Sequence, residues 1–139
     1  MPGLRTPSAA NRYAGEQLKH LLAAELLSHL DDAVTPLREF AHRTIRASDH
    51  IDSTAAAALA AEAIAALAHL HASDQRTERL QSHLLGAEVL TGVNVGHIGE
   101  VTGLSHSTLT RRLANSPAAL RGKDIAPDPT HEWGWRALT

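Results

Sequence analysis

No cysteine occurs in this chain of 139 residues, and its aromatic residues are two Trp, one Tyr and one Phe. Without cysteine, disulfide frameworks, thiolate zinc sites and cysteine nucleophiles are all excluded. The chain also lacks a run approaching the roughly 18 to 20 consecutive apolar residues of a membrane span. Its first residues, MPGLRTPSAANRY, lack the apolar core of a signal peptide. We therefore expect a cytoplasmic protein that does not enter the membrane.

The motifs of common catalytic and cofactor sites are absent as well. The chain contains no phosphate-cradling glycine loop, no Gly-x-Ser-x-Gly elbow and no His-Glu-x-x-His run. Ten histidines are present, but none has the i, i+4 spacing of a helical zinc site, and His69 and His71 face different sides of a helix. The sequence predicts a non-enzymatic protein with no metal and no cofactor. Histidines that are brought together only by the fold would give a pH- or ligand-sensitive site.

Positive charge is scarce overall but unevenly distributed. The formal net charge is -2, and residues 1–94 carry eight Lys or Arg against eleven Asp or Glu. Residues 95–123 instead carry Arg111, Arg112, Arg121 and Lys123 against Glu100 alone. A local basic excess of this kind is the electrostatic footprint expected of a nucleic-acid binding segment.

The hydrophobic pattern is helical along nearly the whole chain, and no run shows the period-two alternation of a strand. We therefore predict an all-α, multi-helix bundle. A first helix is expected over residues 8–32, where leucines recur every four residues from Leu18 to Leu30. Thr35 and Pro36 match an N-cap and a first-turn proline, so a second helix is expected to begin there and to stop near Asp49.

Two further helices are predicted before residue 92. Asp52 and Ser53 can cap an alanine-rich helix, STAAAALAAEAIAALAHLHAS, whose small side chains allow close packing. A fourth helix is expected to begin at Asp74 and to close at Gly92. Gly86 interrupts that helix, and the pattern leaves open whether it marks a kink or a split into two helices.

Two short helices joined by a tight turn are predicted next. Asn94 can cap the helix VGHIGEVT, and Gly103 can end it in the left-handed conformation. Ser105 can cap the helix HSTLTRRLANS, with Pro117 just beyond its end. Gly99 and Gly103 lie where two crossing helices need a small residue and a turn residue. The expected buried seam is Ile98, Leu104, Leu109 and Leu113.

The segment GLSHSTLTRRL resembles the helix-turn-helix of bacterial DNA-binding proteins, in particular the recognition half of Hin-type recombinases and of Lac- and Tet-type repressors. The resemblance covers about 20 residues of the chain. It implies that the helix beginning at Ser105 enters the major groove of DNA and that residues 95–102 lie across the backbone. Arg112 stands where many such repressors have an apolar residue.

The side chains of this segment suit DNA contact, because hydroxyl and guanidinium groups donate to phosphate oxygens and arginine also reads guanine. The alternative is a solvated helix face. Arg111 and Arg112 are expected to hold phosphates, and Arg121 and Lys123 to extend the same basic track. The candidate DNA-binding residues are Ser105, His106, Ser107, Thr108, Thr110, Arg111, Arg112, Arg121 and Lys123.

The remaining tail contains both tryptophans and is not a simple helix. It could form a β-ribbon beside the recognition helix, as a wing, or an arm across a partner subunit, and two tryptophans favour docking over disorder. We therefore divide the chain into a helical dimerisation region at 1–72, a helix-turn-helix region at 73–123 and an arm or wing at 124–139.

These patterns together predict a homodimer that binds double-stranded DNA, since a single recognition helix covers only a half-site. A transcriptional repressor or a plasmid or phage control or partition factor is the expected role, with no effector identified. The competing hypothesis is a helical protein-interaction module, such as an adaptor or antitoxin, in which the same helices pack internally or against another protein.

Overall fold

The computed structural model describes residues 6–46 and 52–138. Most of these residues are helical, which confirms the all-α class, and the end of a helix that was predicted near Asp49 lies outside the described residues. The elements formed within the described ranges are α1 (Ala9–Arg46), α2 (Ser53–Ala72), α3 (Asp74–Thr91), α4 (Val95–Thr102), α5 (His106–Ala114), a 3-10 helix (Pro117–Leu120), β1 (Ile125–Pro127) and β2 (Trp135–Ala137).

The described residues form two compact units. The first unit combines the residues up to Glu25 with those from Arg79 onward, and the second unit is Leu26–Glu78. The first unit is therefore discontinuous in sequence. The assignment of 1–72 to dimerisation, 73–123 to DNA binding and 124–139 to an arm concerns roles and stays a prediction.

In the first unit, α3 contributes to two hydrophobic clusters. Ala87 and Leu90 belong to a cluster with Leu18 and Leu22 of α1, and all four are buried. Val89, which is fully buried, belongs to a second cluster with side chains of α4 and α5. Leu18 and Leu22 of the leucine stripe predicted for α1 therefore pack in the core of this unit, whereas Leu26 and Leu30 are half-buried in the second unit.

Two glycines allow close contacts within the first unit. A Cβ at Gly15 would lie 2.6 Å from the Thr91 Cγ2 atom, so only glycine lets α1 approach α3 this closely. A Cβ at Gly86 would lie 2.6 Å from the Ser116 Cβ atom and 3.0 Å from the Pro117 Cδ atom. Helix α3 continues unbroken through Gly86. The alternative of a split into two helices is therefore wrong, and Gly86 instead admits a neighbouring segment.

Asn11, near the start of α1, links distant parts of the chain within this unit. Its fully buried side chain accepts a hydrogen bond from the Gly122 backbone N–H at 2.8 Å. The same amide donates to the Lys123 carbonyl oxygen at 3.1 Å. Asn11 also accepts from the Ser8 backbone N–H, and the Ser8 hydroxyl accepts from the Asn11 backbone N–H, so the two residues cap the beginning of α1 reciprocally. These bonds satisfy a buried amide and join segments more than 100 residues apart.

The tail forms the β-ribbon that was one of the two predicted alternatives. β1 and β2 pair antiparallel, with Ile125 opposite Ala137. Trp133 and Trp135 are half-buried and pack against the cluster that contains Leu18. The tryptophans therefore dock on the protein's own core, as their apolar area predicts.

The connection between β1 and β2 is held by Asp128. Its carboxylate accepts hydrogen bonds from the Thr130 hydroxyl at 2.6 Å and from the Thr130 backbone N–H at 3.0 Å. These two bonds, the hydroxyl first, lower the pKa of Asp128 below its ordinary value.

In the second unit, α1 continues through Pro36, so the prediction of a helix beginning at Thr35 and Pro36 is wrong. A proline inside a helix leaves the carbonyl four residues earlier without its N–H donor. Here that carbonyl belongs to Asp32, and it accepts a hydrogen bond from the His69 Nε2 atom at 3.2 Å. Helix α2 therefore supplies the donor that Pro36 lacks.

Other polar contacts hold α1 to its neighbours in this unit. Arg43 of α1 pairs with Glu62 of α2. His29 Nε2 lies 2.9 Å from the Thr77 hydroxyl oxygen and 3.2 Å from the Ser73 carbonyl oxygen. The contacts between these helices are thus partly polar, and the fully buried apolar side chains among the described residues of this unit are Ala33 and Ala66.

Helix α2 is apolar around most of its circumference. The face that is turned from α1 includes Ile64, 68% exposed, and Leu67, 54% exposed. By length and composition alone, the helical stretch Ser53–Thr91 contains a window apolar enough to cross a membrane, with a mean hydropathy of 1.4, a test that core helices of soluble proteins also pass. A helix that is apolar on all sides is normally covered.

Candidate nucleic-acid interface

Helices α4 and α5 are short, and each begins with a capped first turn. The Asn94 side chain accepts from the Gly96 backbone N–H at 2.7 Å, and the Ser105 side chain accepts from the Thr108 backbone N–H at 3.2 Å. Gly103 ends α4 with φ of 74°, in the left-handed region. The predicted caps and the predicted turn glycine are all confirmed, because each is decided by a few neighbouring residues.

The predicted seam between the two helices is confirmed. Ile98, Leu109 and Leu113 are buried, and half-buried Leu104 packs against them. They join Val89 of α3 in the second hydrophobic cluster. This cluster holds α4 and α5 to the rest of the first unit and so fixes which face of α5 remains exposed.

Gly99 and Gly103 act for different reasons. A Cβ at Gly99 would lie 3.4 Å from the Leu109 Cδ1 atom, which is ordinary contact and leaves little spare room between α4 and α5. A Cβ at Gly103 would meet nothing within 4 Å, so glycine is favoured there by the positive φ and not by space.

The exposed face of α5 carries polar side chains from its first two turns. His106, Ser107 and Thr110 are exposed, whereas Thr108 is half-buried. The Thr110 hydroxyl donates to the His106 carbonyl oxygen at 2.9 Å, and the Ser105 hydroxyl donates to the Thr108 hydroxyl at 2.9 Å. These residues form one continuous polar surface, as predicted.

Arg111 and Arg112 lie in the last turn of α5. Arg111 is exposed, and Arg112 is half-buried with its Nε atom enclosed by the protein. Cations near the C-terminus of a helix also stabilise the helix dipole. Arg111 is therefore the better placed of the two to reach a ligand outside the protein.

Arg121 and Lys123 are not part of α5 and follow the 3-10 helix. The Arg121 Nη1 atom donates to the carbonyl oxygens of Val89 and Val93, each at 3.2 Å, near the end of α3. This guanidinium satisfies backbone groups that the helix end leaves open. Lys123 is exposed beside the β-ribbon. Of the nine candidate residues, the seven from Ser105 to Arg112 thus lie together, and the last two do not join them.

A second group of polar and aromatic side chains was not predicted from the sequence. The His83 ring lies 5.2 Å from the Trp133 ring, and the His131 ring lies 4.6 Å from it on centroid distances. Arg79 pairs with Glu132, whose Oε1 atom is 3.8 Å from His83 Nε2. Helix α3 and the β1–β2 connection meet here, so only the fold brings these residues together.

His83 is 5% exposed, and its pKa lies below the ordinary value of 6.5. Burial is the main cause, because an enclosed imidazolium loses hydration. Glu132 opposes this shift, Arg79 adds to it, and a hydrogen bond to the Asn115 backbone again favours the charged ring. At neutral pH this histidine is therefore mainly uncharged.

Within residues 6–46 and 52–138, no group of three His, Asp or Glu side chains lies close enough to hold a metal ion. Comparison of the chain with protein-family models, with curated proteins and with solved structures gives no match. A functional assignment must therefore rest on the residues of this chain.

Proposed function

We propose that this protein binds double-stranded DNA as a homodimer, with α4 and α5 forming a helix-turn-helix. The observation that carries the proposal is the arrangement of α5, which buries Leu109 and Leu113 while it exposes Ser107, Thr110 and Arg111 on the opposite side. A short helix with one anchored face and one polar face is what a major groove about 12 Å wide admits.

The chemistry of the exposed face supports this role. Hydroxyl groups at the beginning of α5 can contact base edges or phosphates, and the Arg111 guanidinium can pair with a phosphate. Residues 95–123 carry a net charge of +3, whereas the whole chain carries -2. Two of the four basic residues in this range, Arg111 and Arg112, lie on α5, and their charge favours an anionic partner there.

Pairing of two copies is supported by the exposed apolar face of α2. A two-fold interface places the same surface of each copy against its counterpart, so the surface must not repel itself. The only charged residue within Ser53–Ala72 is Glu62, and it pairs with Arg43 of the same unit. The residues that would form the contact are Ala57, Ala60, Ala61, Ile64, Leu67 and Ala68.

A homodimer with two such helices fits a transcriptional repressor or a plasmid or phage control or partition factor, which bind paired half-sites. The exposed α2 face also favours the alternative class, a helical adaptor or antitoxin that binds another protein. The two classes differ in one property, because only the first binds duplex DNA through α5.

The test is binding to a random-sequence DNA duplex at low salt, measured by fluorescence anisotropy over a salt series. We expect affinity to fall with salt, and the Arg111→Ala variant to lower the log–log slope by about 0.9 for each phosphate that Arg111 neutralises. Arg38→Ala is the matched control, since Arg38 is an exposed arginine of the second unit that pairs with Asp31 at 3.1 Å.

Two results would overturn the proposal. The first is no binding at low salt by protein that is folded by circular dichroism. The second is equal loss of binding in Arg111→Ala and Arg38→Ala. Selection of bound fragments from the native genome would then test pairing, since a dimer selects half-sites one helical turn of about 10 base pairs apart.

A further inference from the structure

The first unit contains an open cavity of about 790 Å³ that the DNA-binding proposal does not use. It lies between α3, the segment that follows α5, the 3-10 helix and the β-ribbon. Its volume is within the range of about 300 to 1,000 Å³ that is usual for small-molecule sites.

Part of the lining of the cavity is apolar. It consists of Ala119, Ala137 and buried Leu120, which together are called the floor below, and of the Trp133 ring. The Trp133 Nε1 atom is buried and has no acceptor among the described residues.

The rim of the cavity is cationic. Arg79 is paired with Glu132, so these two charges offset each other. Lys123 also lines the cavity, it is exposed, and it has no ion-pair partner among the described residues. An apolar floor beside one available ammonium group suits a molecule with an apolar body and a single negative charge.

His83 connects this cavity to the end of α5. Its ring lines the cavity, packs against Trp133 and hydrogen-bonds to the backbone of Asn115, which is the C-cap of α5. Ser116, the next residue, packs in the space left by Gly86 of α3. A molecule that displaces His83 or Trp133 therefore acts on the residue that ends α5.

We propose that this cavity binds a small organic anion, an apolar ring that carries one carboxylate, and that the bound anion alters how α5 engages DNA. The binding step is independent of the proposed function. The second step rests on that function, because it requires α5 to bind DNA. The carboxylate lies at Lys123 and the ring on the floor formed by Ala119 and Leu120.

The binding step is tested by isothermal titration of the protein without DNA. The probes are naphthalene-1-carboxylate, its uncharged amide and inorganic phosphate. We expect one carboxylate to bind per chain. The amide should bind at least about tenfold more weakly, because it cannot form the charge-assisted hydrogen bond. Phosphate is expected to bind more weakly still, since it leaves the apolar floor uncovered.

Three variants locate the site. Lys123→Met keeps the aliphatic stem and removes the charge, so it should weaken carboxylate binding about tenfold and leave amide binding unchanged. Lys19→Met removes the chain's only other lysine, which pairs with Glu16 at 2.7 Å outside the cavity, and should have no effect. Ala119→Phe fills the cavity from an exposed position and should abolish binding of both compounds.

Absence of carboxylate binding overturns the inference. So does binding that is unchanged in both Lys123→Met and Ala119→Phe, because the compound then binds elsewhere, for example on the apolar face of α2. Phosphate binding as tight as that of the carboxylate overturns the need for an apolar ring.

The second step is tested by repeating the DNA titration with saturating carboxylate. We expect a change in DNA affinity of about fivefold or more in the natural sequence, and none in Ala119→Phe, which keeps all residues of α5. Protein that binds the carboxylate but no DNA contradicts the proposed function and leaves the anion site intact. Protein that binds DNA but no carboxylate contradicts the site alone.

Discussion

The His69 Nε2 atom donates a hydrogen bond to the Asp32 carbonyl oxygen, the acceptor that Pro36 leaves without a partner in α1. The two residues belong to different helices of the second unit and are 37 positions apart. Neither residue alone explains why a 38-residue helix continues through a proline. The pair does, and it makes the stability of α1 depend on a side chain of α2.

We expect His69→Ala to lower the free energy of unfolding by about 0.5 to 1.5 kcal/mol, the usual contribution of one hydrogen bond. In a Pro36→Ala background the backbone N–H of residue 36 can bond Asp32, so the same change at His69 should cost less. Urea denaturation of the four proteins gives the coupling between the two sites. Equal costs in both backgrounds would show that His69 acts in another way.

A methyl group at Gly86 should be costly. Gly86→Ala places a Cβ 2.6 Å from the Ser116 Cβ atom, so the segment before the 3-10 helix must move, at about 1 to 3 kcal/mol. Gly103 offers the contrast, because it has open space and a positive φ. Gly103→Asn should lower the stability less than Gly103→Ala, since asparagine tolerates the left-handed region. At Gly86 the order should be reversed, and Gly86→Asn should lower the stability more than Gly86→Ala. Thermal unfolding of the four variants checks both orders.

Stability should fall as the pH is lowered below about 6.5, the ordinary pKa of histidine. His83 has a lowered pKa in the folded protein, so the unfolded chain binds more protons in this range and acid favours unfolding. Above about pH 7.5 the contribution of His83 is constant, because its ring is then uncharged in both the folded and the unfolded protein. Urea midpoints between pH 5 and 8 would show this dependence.

His83→Gln isolates that contribution, because it keeps a polar side chain that does not titrate. We expect the difference in unfolding free energy between pH 5 and 7.5 to shrink in this variant. His97→Gln, at an exposed position of α4, is the comparison. A pH dependence that changes by the same amount in both variants would contradict the role assigned to His83.

Charge on the apolar face of α2 should prevent self-association. Ile64→Glu places two carboxylates opposite each other in a two-fold pair, and we expect sedimentation velocity to show a monomer where the natural sequence gives a dimer. Thr54→Glu, at the exposed N-terminal end of α2, is the control and should remain a dimer. A natural sequence that sediments as a monomer, or an Ile64→Glu variant that stays dimeric, would exclude this face.

Sequence reasoning was most successful where a few adjacent residues decide the conformation. The Asn94 and Ser105 caps, the left-handed Gly103 and the buried seam of Leu109 and Leu113 all follow from short spacings. The prediction of a helix beginning at Pro36 was wrong. A proline in the first turn of a helix and a proline inside a helix look the same in the sequence, and a distant hydrogen-bond donor distinguishes them only in the fold. That donor, His69, is visible only in the fold.

The candidate site shows the same limit. The exposed face of α5 could be predicted from helical periodicity, but Arg121 could not be assigned, since its carbonyl partners at Val89 and Val93 belong to another part of the chain. The group formed by His83 and Trp133 could not be predicted either. These residues are brought together by packing of the β-ribbon on α3, and the one sequence signal was a tryptophan that needed to be covered.

The bonds from Asn11 to Gly122 and Lys123 have a consequence for synthesis of the protein. A chain that emerges from the ribosome from its N-terminus cannot form these bonds until residue 123 has been released, so the unit that contains α5 closes late. The second unit, Leu26–Glu78, is continuous and can fold earlier. Translation stopped before Gly122 would therefore leave the unit that contains α5 without its closing strands.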